Sequence, residues 1–366
     1  LLSSKGLLTY IIPMQLLKNS AFAKIRENLI TNSSIHKINY VGSDVFEDAS
    51  NDTIIIEYEK EKPKENHNIE ISISSNNSIE LITNEQFLTK QSLFEKEGFE
   101  ISLSSNEELK ICEKLMKSSE SLLSAHFNIY QGIVSGLNGA FIFDSELPES
   151  IDSINLKPYL LGSDFKKYSI NDSSKKQILY LNKHIEIESF PNTKEWLIPF
   201  KERLEKRREV KKGVIPWYSL QWPRDKEQFE QPKILFQKIR NQTLHKRLVG
   251  TLDTLNYYLG DGVIFLTSKS EEINELKLAL ALLNSELYNF YFRKNFLDVN
   301  LKIMYLDKTP YLSLKQAEKV IELVDKIIEI KKHNSEGNIE EFESEINNII
   351  YKELNFNKEE IELIEK

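Results

Sequence analysis

Between residues 196 and 240 the chain sets basic side chains among aromatic ones. Lys201, Arg203, Lys206, Arg207, Arg208, Lys211 and Lys212 come first, then Trp217, Tyr218, Trp222 and Arg224. Lys and Arg neutralise phosphates, and Arg or an aromatic ring also meets base edges or wedges a base step. Glu195, Glu202, Glu205 and Glu209 are interleaved, so only some of these bases can face a phosphate. A solvated helix face with pairs such as Glu202–Lys206 accounts for the others. Trp217 and Trp222 are read as core residues before contacts. Pro232-Lys233-Ile234 leads into Gln237-Lys238-Ile239-Arg240-Asn241-Gln242. Strand alternation there separates Gln237, Ile239 and Asn241 from Lys238, Arg240 and Gln242. Arg pairs with guanine, and Asn or Gln with adenine. Lys233, Lys238, Arg240, Asn241 and Gln242 are therefore candidate DNA contacts, with Arg207, Arg208, Lys211 and Lys212.

A second candidate is Gly132-Ile133-Val134-Ser135-Gly136-Leu137-Asn138. Its glycines permit tight turns or positive φ. Exposed amides, with Ser135 and Asn138, would then face a phosphate; a hairpin would use the same glycines only to turn. Lys167, with Asp164 and Tyr168, sits in a segment that suits either a DNA-proximal loop or a structural turn.

Other chemistries find no footing. The histidines, His36, His67, His126, His184, His245 and His333, show no metal-ligand spacing. There is no Gly-x-Ser-x-Gly elbow and no Pro-Asp dipeptide of the common nuclease signature. The one Gly-x-Gly, Gly260–Gly262, lacks the third glycine of a dinucleotide loop. A single cysteine, Cys112, rules out an internal disulfide framework and fits a reducing cytoplasm. No apolar run reaches a membrane span.

At 366 residues, two domains are expected rather than one. The net charge of −8 argues against a generic nucleic-acid binder, but the charge is unevenly spread. Residues 194–247 hold 15 Lys and Arg against 7 Asp and Glu, a local +8; residues 315–366 hold 8 against 14, a local −6. A basic middle can hold phosphate while acidic ends keep the whole soluble. Residues 7–12 read as a buried strand ended by Pro13. A helix follows from Asn19 or Ser20 to about Ile30, with Phe22, Ile25, Arg26 and Leu29 at helical spacing. Strands are expected at 35–41 and 53–58, the latter with three isoleucines that suit cover on both faces. Residues 60–68 read as a loop leaving that sheet. Residues 69–105 alternate as strands with one wet face, and 107–126 fit one helix. Residues 127–270 are rich in strands and turns. A strong amphipathic helix is expected at 276–296, two more at 316–331 and 339–354, and a short acidic one from Lys358.

The order of these segments resembles the back half of a TaqI-type adenine-N6 DNA methyltransferase, of the Eco57I or Type IIG kind. The segments are Gly6–Pro13, Gly132–Asp144, Leu156–Tyr168, the basic-aromatic stretch and the Leu282-Leu283-Asn284-Ser285 helix. The resemblance implies an α/β remnant of a Rossmann-like methyltransferase sheet over residues 1–62 and a connecting segment over 63–126. An α+β target-recognition domain over 127–312 and a helical segment over 313–366 would follow. It implies double-stranded DNA as partner and S-adenosylmethionine as cofactor of a longer parent protein. The aromatic of the Val45-Phe46 pair would stack on an adenine flipped from the duplex, or simply fill a core gap. No Pro-Pro dipeptide and no glycine-rich donor loop occur in the 366 residues. The chain is thus expected to be a fragment that chooses the site, without catalytic residues of its own. The alternative is a separate specificity module serving a catalytic restriction or methyltransferase subunit. A truncated sheet would also expose an apolar edge and lower solubility.

Overall fold

The computed structural model describes residues 2–42, 52–77, 80–144, 151–171, 175–240, 244–296 and 300–366. The chain forms two compact units, Leu1–Glu113 and Lys114–Lys366.

The first unit is one mixed sheet with helices. Its strands and helix are β1 (Leu7–Pro13), α1 (Ala23–Asn32), β2 (Ser34–Gly42), β3 (Thr53–Glu59), β4 (Asn68–Asn77) and β5 (Glu80–Lys90). The strand order is β1-β3-β2-β4-β5. β3 lies antiparallel between β1 and β2, so these two run parallel with α1 between them in sequence. Residues 60–68 are expected to lead out of the sheet, but the chain stays in it: β4 returns to pair parallel with β2, and β5 closes the far side antiparallel. Packing groups Leu1–Glu113 as one compact unit that includes β4 and β5.

β1 differs from its expected buried state. It is an edge strand, with Tyr10 59% exposed, because among the described residues only β3 flanks it. Phe22 and Ile25 are exposed as well. In β3, Ile54 and Ile56 are buried while Ile55 is half-buried, so cover is complete on one face only. Arg26, on the buried side of α1, donates to the carbonyls of Leu16, Asn19, Gly98 and Phe99. Four backbone acceptors from two turns thus satisfy a buried guanidinium.

Helix α2 (Asn106–Ser118) stops short of the expected residue 126. The second unit then builds two four-stranded sheets. Their strands are β6 (Phe127–Gln131), β7 (Ile142–Phe143), β8 (Leu156–Leu160), β9 (Gln177–Leu179), β10 (Lys233–Gln237), β11 (Gly250–Asp253), β12 (Tyr258–Leu259) and β13 (Val263–Ser268). One sheet has the order β11-β10-β13-β6, all antiparallel. The other has the order β12-β8-β9-β7. Every residue of β13 is buried, as its run Val-Ile-Phe-Leu requires of a central strand. Phe141, Tyr159, Leu235, Tyr258 and Phe265 belong to one apolar core.

Short helices α3 (Pro191–Leu197), α4 (Lys201–Glu205) and α5 (Arg208–Lys211) carry the basic segment. The expected single helix at 276–296 is two, α6 (Ile273–Asn284) and α7 (Glu286–Asn295), broken at Ser285. Ser285 is extended and caps α7 by accepting from the Tyr288 amide. Leu276 and every residue from Leu278 to Asn284 are buried, so α6 is a core helix rather than an amphipathic surface one. The chain closes with α8 (Ala317–His333), α9 (Glu340–Glu353) and α10 (Lys358–Glu365), near the expected positions. Val320, Leu323, Val324 and Ile327 form the buried stripe of α8.

Candidate nucleic-acid interface

Antiparallel pairing sets one end of the β11-β10-β13-β6 sheet. Gln131 at the end of β6 faces Ile264, and Gln237 at the end of β10 faces Val263. Two segments that the sequence singles out leave the sheet here, beside the Gly260–Gly262 turn that enters it. Gly132 donates to Val263 O at 3.0 Å and Ile133 to Leu259 O at 2.7 Å. Lys238 donates to Gly262 O at 2.9 Å. The glycines are steric requirements. A Cβ on Gly132 would lie 2.0 Å from Gly260 O. Gly136 has φ +78°, and a Cβ there would lie 2.8 Å from Gln221 Oε1 and 2.9 Å from Arg207 Nη1.

Arg207 joins this glycine loop to the basic segment. Its guanidinium donates to Leu204 O at 3.0 Å, Trp217 O at 2.7 Å and Ser219 O at 2.9 Å, and to Ser135 O at 3.4 Å. Burial pushes its pKa down, with the charge of Glu209 opposing. Arg207 therefore works as an internal bracket, not as the free DNA contact expected. Ser135 is buried and donates to Asn138 Oδ1 at 2.5 Å, while Gly136 and Asn138 are exposed.

The remaining cations sort by partner. Lys201 pairs with Glu205, and Lys206 with Glu202 at 2.7 Å, as the spacing suggests. Arg208, Lys211 and Lys212 are exposed and make no ion pair among the described residues. Gln221, which the sequence did not single out, ties the two parts further by donating to Glu209 Oε2 at 3.1 Å. Arg224, at φ 62°, donates to Gly132 O at 3.3 Å.

The aromatics also sort. Trp196 donates to Ala140 O at 3.0 Å, and Trp217 is half-buried under Lys201 Nζ at 5.4 Å. Trp222 is 43% exposed, against the expectation of a core residue. Its backbone is fully engaged with Val134, which leaves the ring to solvent.

Other expected contacts are tied down. Lys233, a candidate contact by sequence, is fully buried against Asp253 Oδ2 at 2.7 Å and Phe229 O at 2.6 Å, so its amine is engaged within the fold. Burial pushes its amine pKa down, against the pull of Asp253. Lys167 pairs with Glu343. Asp164 and Tyr168 are buried; Asp164 accepts from Leu161 N and from Lys176, as a structural turn does. Arg240 donates to Lys246 O at 2.8 Å and Gln237 Oε1 at 2.7 Å, while Lys238 is half-buried. Phe46, Asn241 and Gln242 lie outside the described residues. Among the described residues, no three His, Cys, Asp or Glu side chains gather to hold a metal ion. No helix among them is long and apolar enough to cross a membrane.

Residues 157–311 match the model of the TaqI-like C-terminal specificity domain. The fold of the chain is similar to a solved structure of the Type IIL restriction-modification enzyme MmeI in complex with DNA. There the TM-score is 0.62 at 11% identity, over 98% of this chain and 48% of that one. The Type IIG restriction endonuclease BpuSI gives a TM-score of 0.42 at 13% identity, over 96% of this chain and 48% of that one. The chain thus spans about half the length of each of these two structures.

Proposed function

We propose that this chain recognises the DNA target for an S-adenosylmethionine-dependent adenine-N6 DNA methyltransferase of a restriction-modification system. The observation that carries the reading is the specificity-domain match over residues 157–311, which spans the unpaired cations of α5. Arg208, Lys211 and Lys212 would grip phosphates and fix the register. The loop around Gly136 and Asn138 would present amides and polar groups beside them, and the Lys238 side chain would add a cation.

The β1–α1–β2 crossover, with β3 inserted antiparallel, supports reading the first unit as the end of a doubly wound catalytic sheet. Phe46 would stack the flipped adenine, and bound S-adenosylmethionine would supply the methyl group. The residues present do not fit a site for that donor. The only Gly-x-Gly holds β-sheet ends together, with Gly262 O accepting from Lys238. No step of methyl transfer is therefore assigned to this chain.

The test is duplex DNA binding by the chain at stepped salt concentrations. Each phosphate neutralised should contribute about 0.9 to the log–log slope, so Lys211→Gln with Lys212→Gln should flatten it by roughly 1.8. No binding at low salt would sink the reading, and an unchanged slope in the double variant would sink the placement of the phosphate grip. Methylation by a complex with a separate catalytic chain, with none by one longer parent polypeptide, would select the stand-alone module instead.

A further inference from the structure

We infer that Trp222 is a wedge that inserts between two stacked bases of the bound duplex, beside the phosphate grip of α5. The inference rests on the DNA-recognition reading and adds to it a specific residue and a specific deformation. Of the three tryptophans, Trp196 and Trp217 are partly buried, while Trp222 is 43% exposed. Its indole N–H has no acceptor among the described residues.

The mounting is rigid although the ring is free. The Trp222 amide donates to Val134 O at 2.9 Å, and Trp222 O accepts from Val134 N at 3.1 Å. On one side, Gln221 is held by Ser135 O and Glu209. On the other, Pro223 fixes its own φ, and Arg224 takes up φ 62° to reach Gly132 O. A non-glycine residue held in that region is strained, and such strain persists only where the surroundings over-determine it. A large ring on a fixed backbone loses little entropy when it is covered.

The surroundings select nucleic acid as the occupant. The helix that holds Gln221 through Glu209 is α5; it carries Arg208 and Lys211 and is followed by Lys212, none of them in an ion pair among the described residues. The bridge partner, Val134, lies two residues from Gly136, whose backbone is exposed. An exposed ring on the residue after Gln221, which bonds the helix bearing exposed cations, suits a charged backbone with flat bases behind it. Apolar side chains inserted at a base step unstack it and bend the duplex. The ring would thus act on DNA deformability and not on a base edge.

The experiment uses the full chain and short duplexes of randomised sequence that carry 2-aminopurine. On binding, the wild type should raise 2-aminopurine fluorescence, and Trp222 should become shielded from acrylamide. Trp222→Ala should abolish the 2-aminopurine rise and weaken binding on the order of tenfold, while keeping the wild-type salt slope. Trp222→Phe should recover part of both. Because the ring is exposed, these variants should keep the wild-type circular dichroism. A 2-aminopurine rise that survives in Trp222→Ala overturns the inference, as does a Trp222 still open to acrylamide in the complex. Shielding that grows with protein concentration before DNA is added would assign the ring to a chain–chain contact and also overturn it. A chain that binds no duplex at all would instead overturn the DNA-recognition reading.

Discussion

Lys233 and Lys211 have the same side chain and opposite surroundings. Lys233 is fully buried beside Asp253, which also accepts from the amides of Leu255 and Tyr257. Lys211 is exposed and unpaired among the described residues. The sequence marked both as DNA contacts, because local composition does not show a partner in another strand. The same holds for Arg207, whose acceptors come from Leu204, Ser135, Trp217 and Ser219. Trp222 went the other way: tryptophan is apolar enough to suggest core, and only the Val134 pairing turns it outward. Lys233→Ala would leave the Asp253 carboxylate buried and uncompensated. A loss of about 3–5 kcal/mol in urea unfolding is expected. A loss under about 1 kcal/mol would mean that water or relaxation rescues Asp253.

At the scale of elements, periodicity located most helices but misjudged how they are used. α6 and α7 sit where apolar residues crowd, yet Ser285 splits them and both are wrapped by neighbours. Asn284 shows why the split matters. Its side chain accepts from Gly250 N at 2.8 Å and donates to Gly250 O at 3.0 Å, as a neighbouring strand would. Asn289 takes the Leu248 amide in the same way. The first turn of α6 is held by Glu275. Its carboxylate accepts from Ser268 at 2.5 Å and Ser270 at 2.6 Å, and bonds His126 at 3.0 Å. Burial raises the Glu275 pKa, but these hydrogen bonds and the nearby imidazole outweigh it and leave it below the ordinary 4.5. A carboxyl held low in the folded state contributes stability that is fully present above the unfolded value. That stability is lost as pH falls through the folded value. The thermal midpoint should therefore drop on acidification below about pH 4.5, and Glu275→Gln should flatten that part of the curve. A variant with the wild-type acid profile would remove Glu275 from the account.

Across the molecule, charge segregation was legible while its use was not. The acidic carboxy-terminal helices are not merely a solubilising end. Glu336, Glu343, Glu360 and Asp325 pair with Lys166, Lys167, Lys114 and Lys277 of the same unit. Among the described residues, the cations of α5 stay unpaired while others are neutralised within the fold. The first unit presents a different surface. β1 offers an open strand edge with Leu7, Tyr10 and Ile11 exposed. Such an edge templates pairing with another chain. These 366 residues should therefore self-associate with rising concentration, and Ile11→Lys should reduce that association in light scattering. A wild-type chain that stays monomeric at all concentrations would show that the edge is protected.

The mounting of the glycine loop has a consequence for inheritance. Gly132 and Gly136 are fixed by contact with backbone and with Arg207, and Asn138 holds the buried Ser135 hydroxyl, whereas a Cβ at the exposed Gly139 would meet nothing. Substitutions at Gly139 can therefore accumulate without refolding the sheet behind it. Lineages carrying this scaffold can diverge in what the loop touches while inheriting unchanged the bracket that holds it.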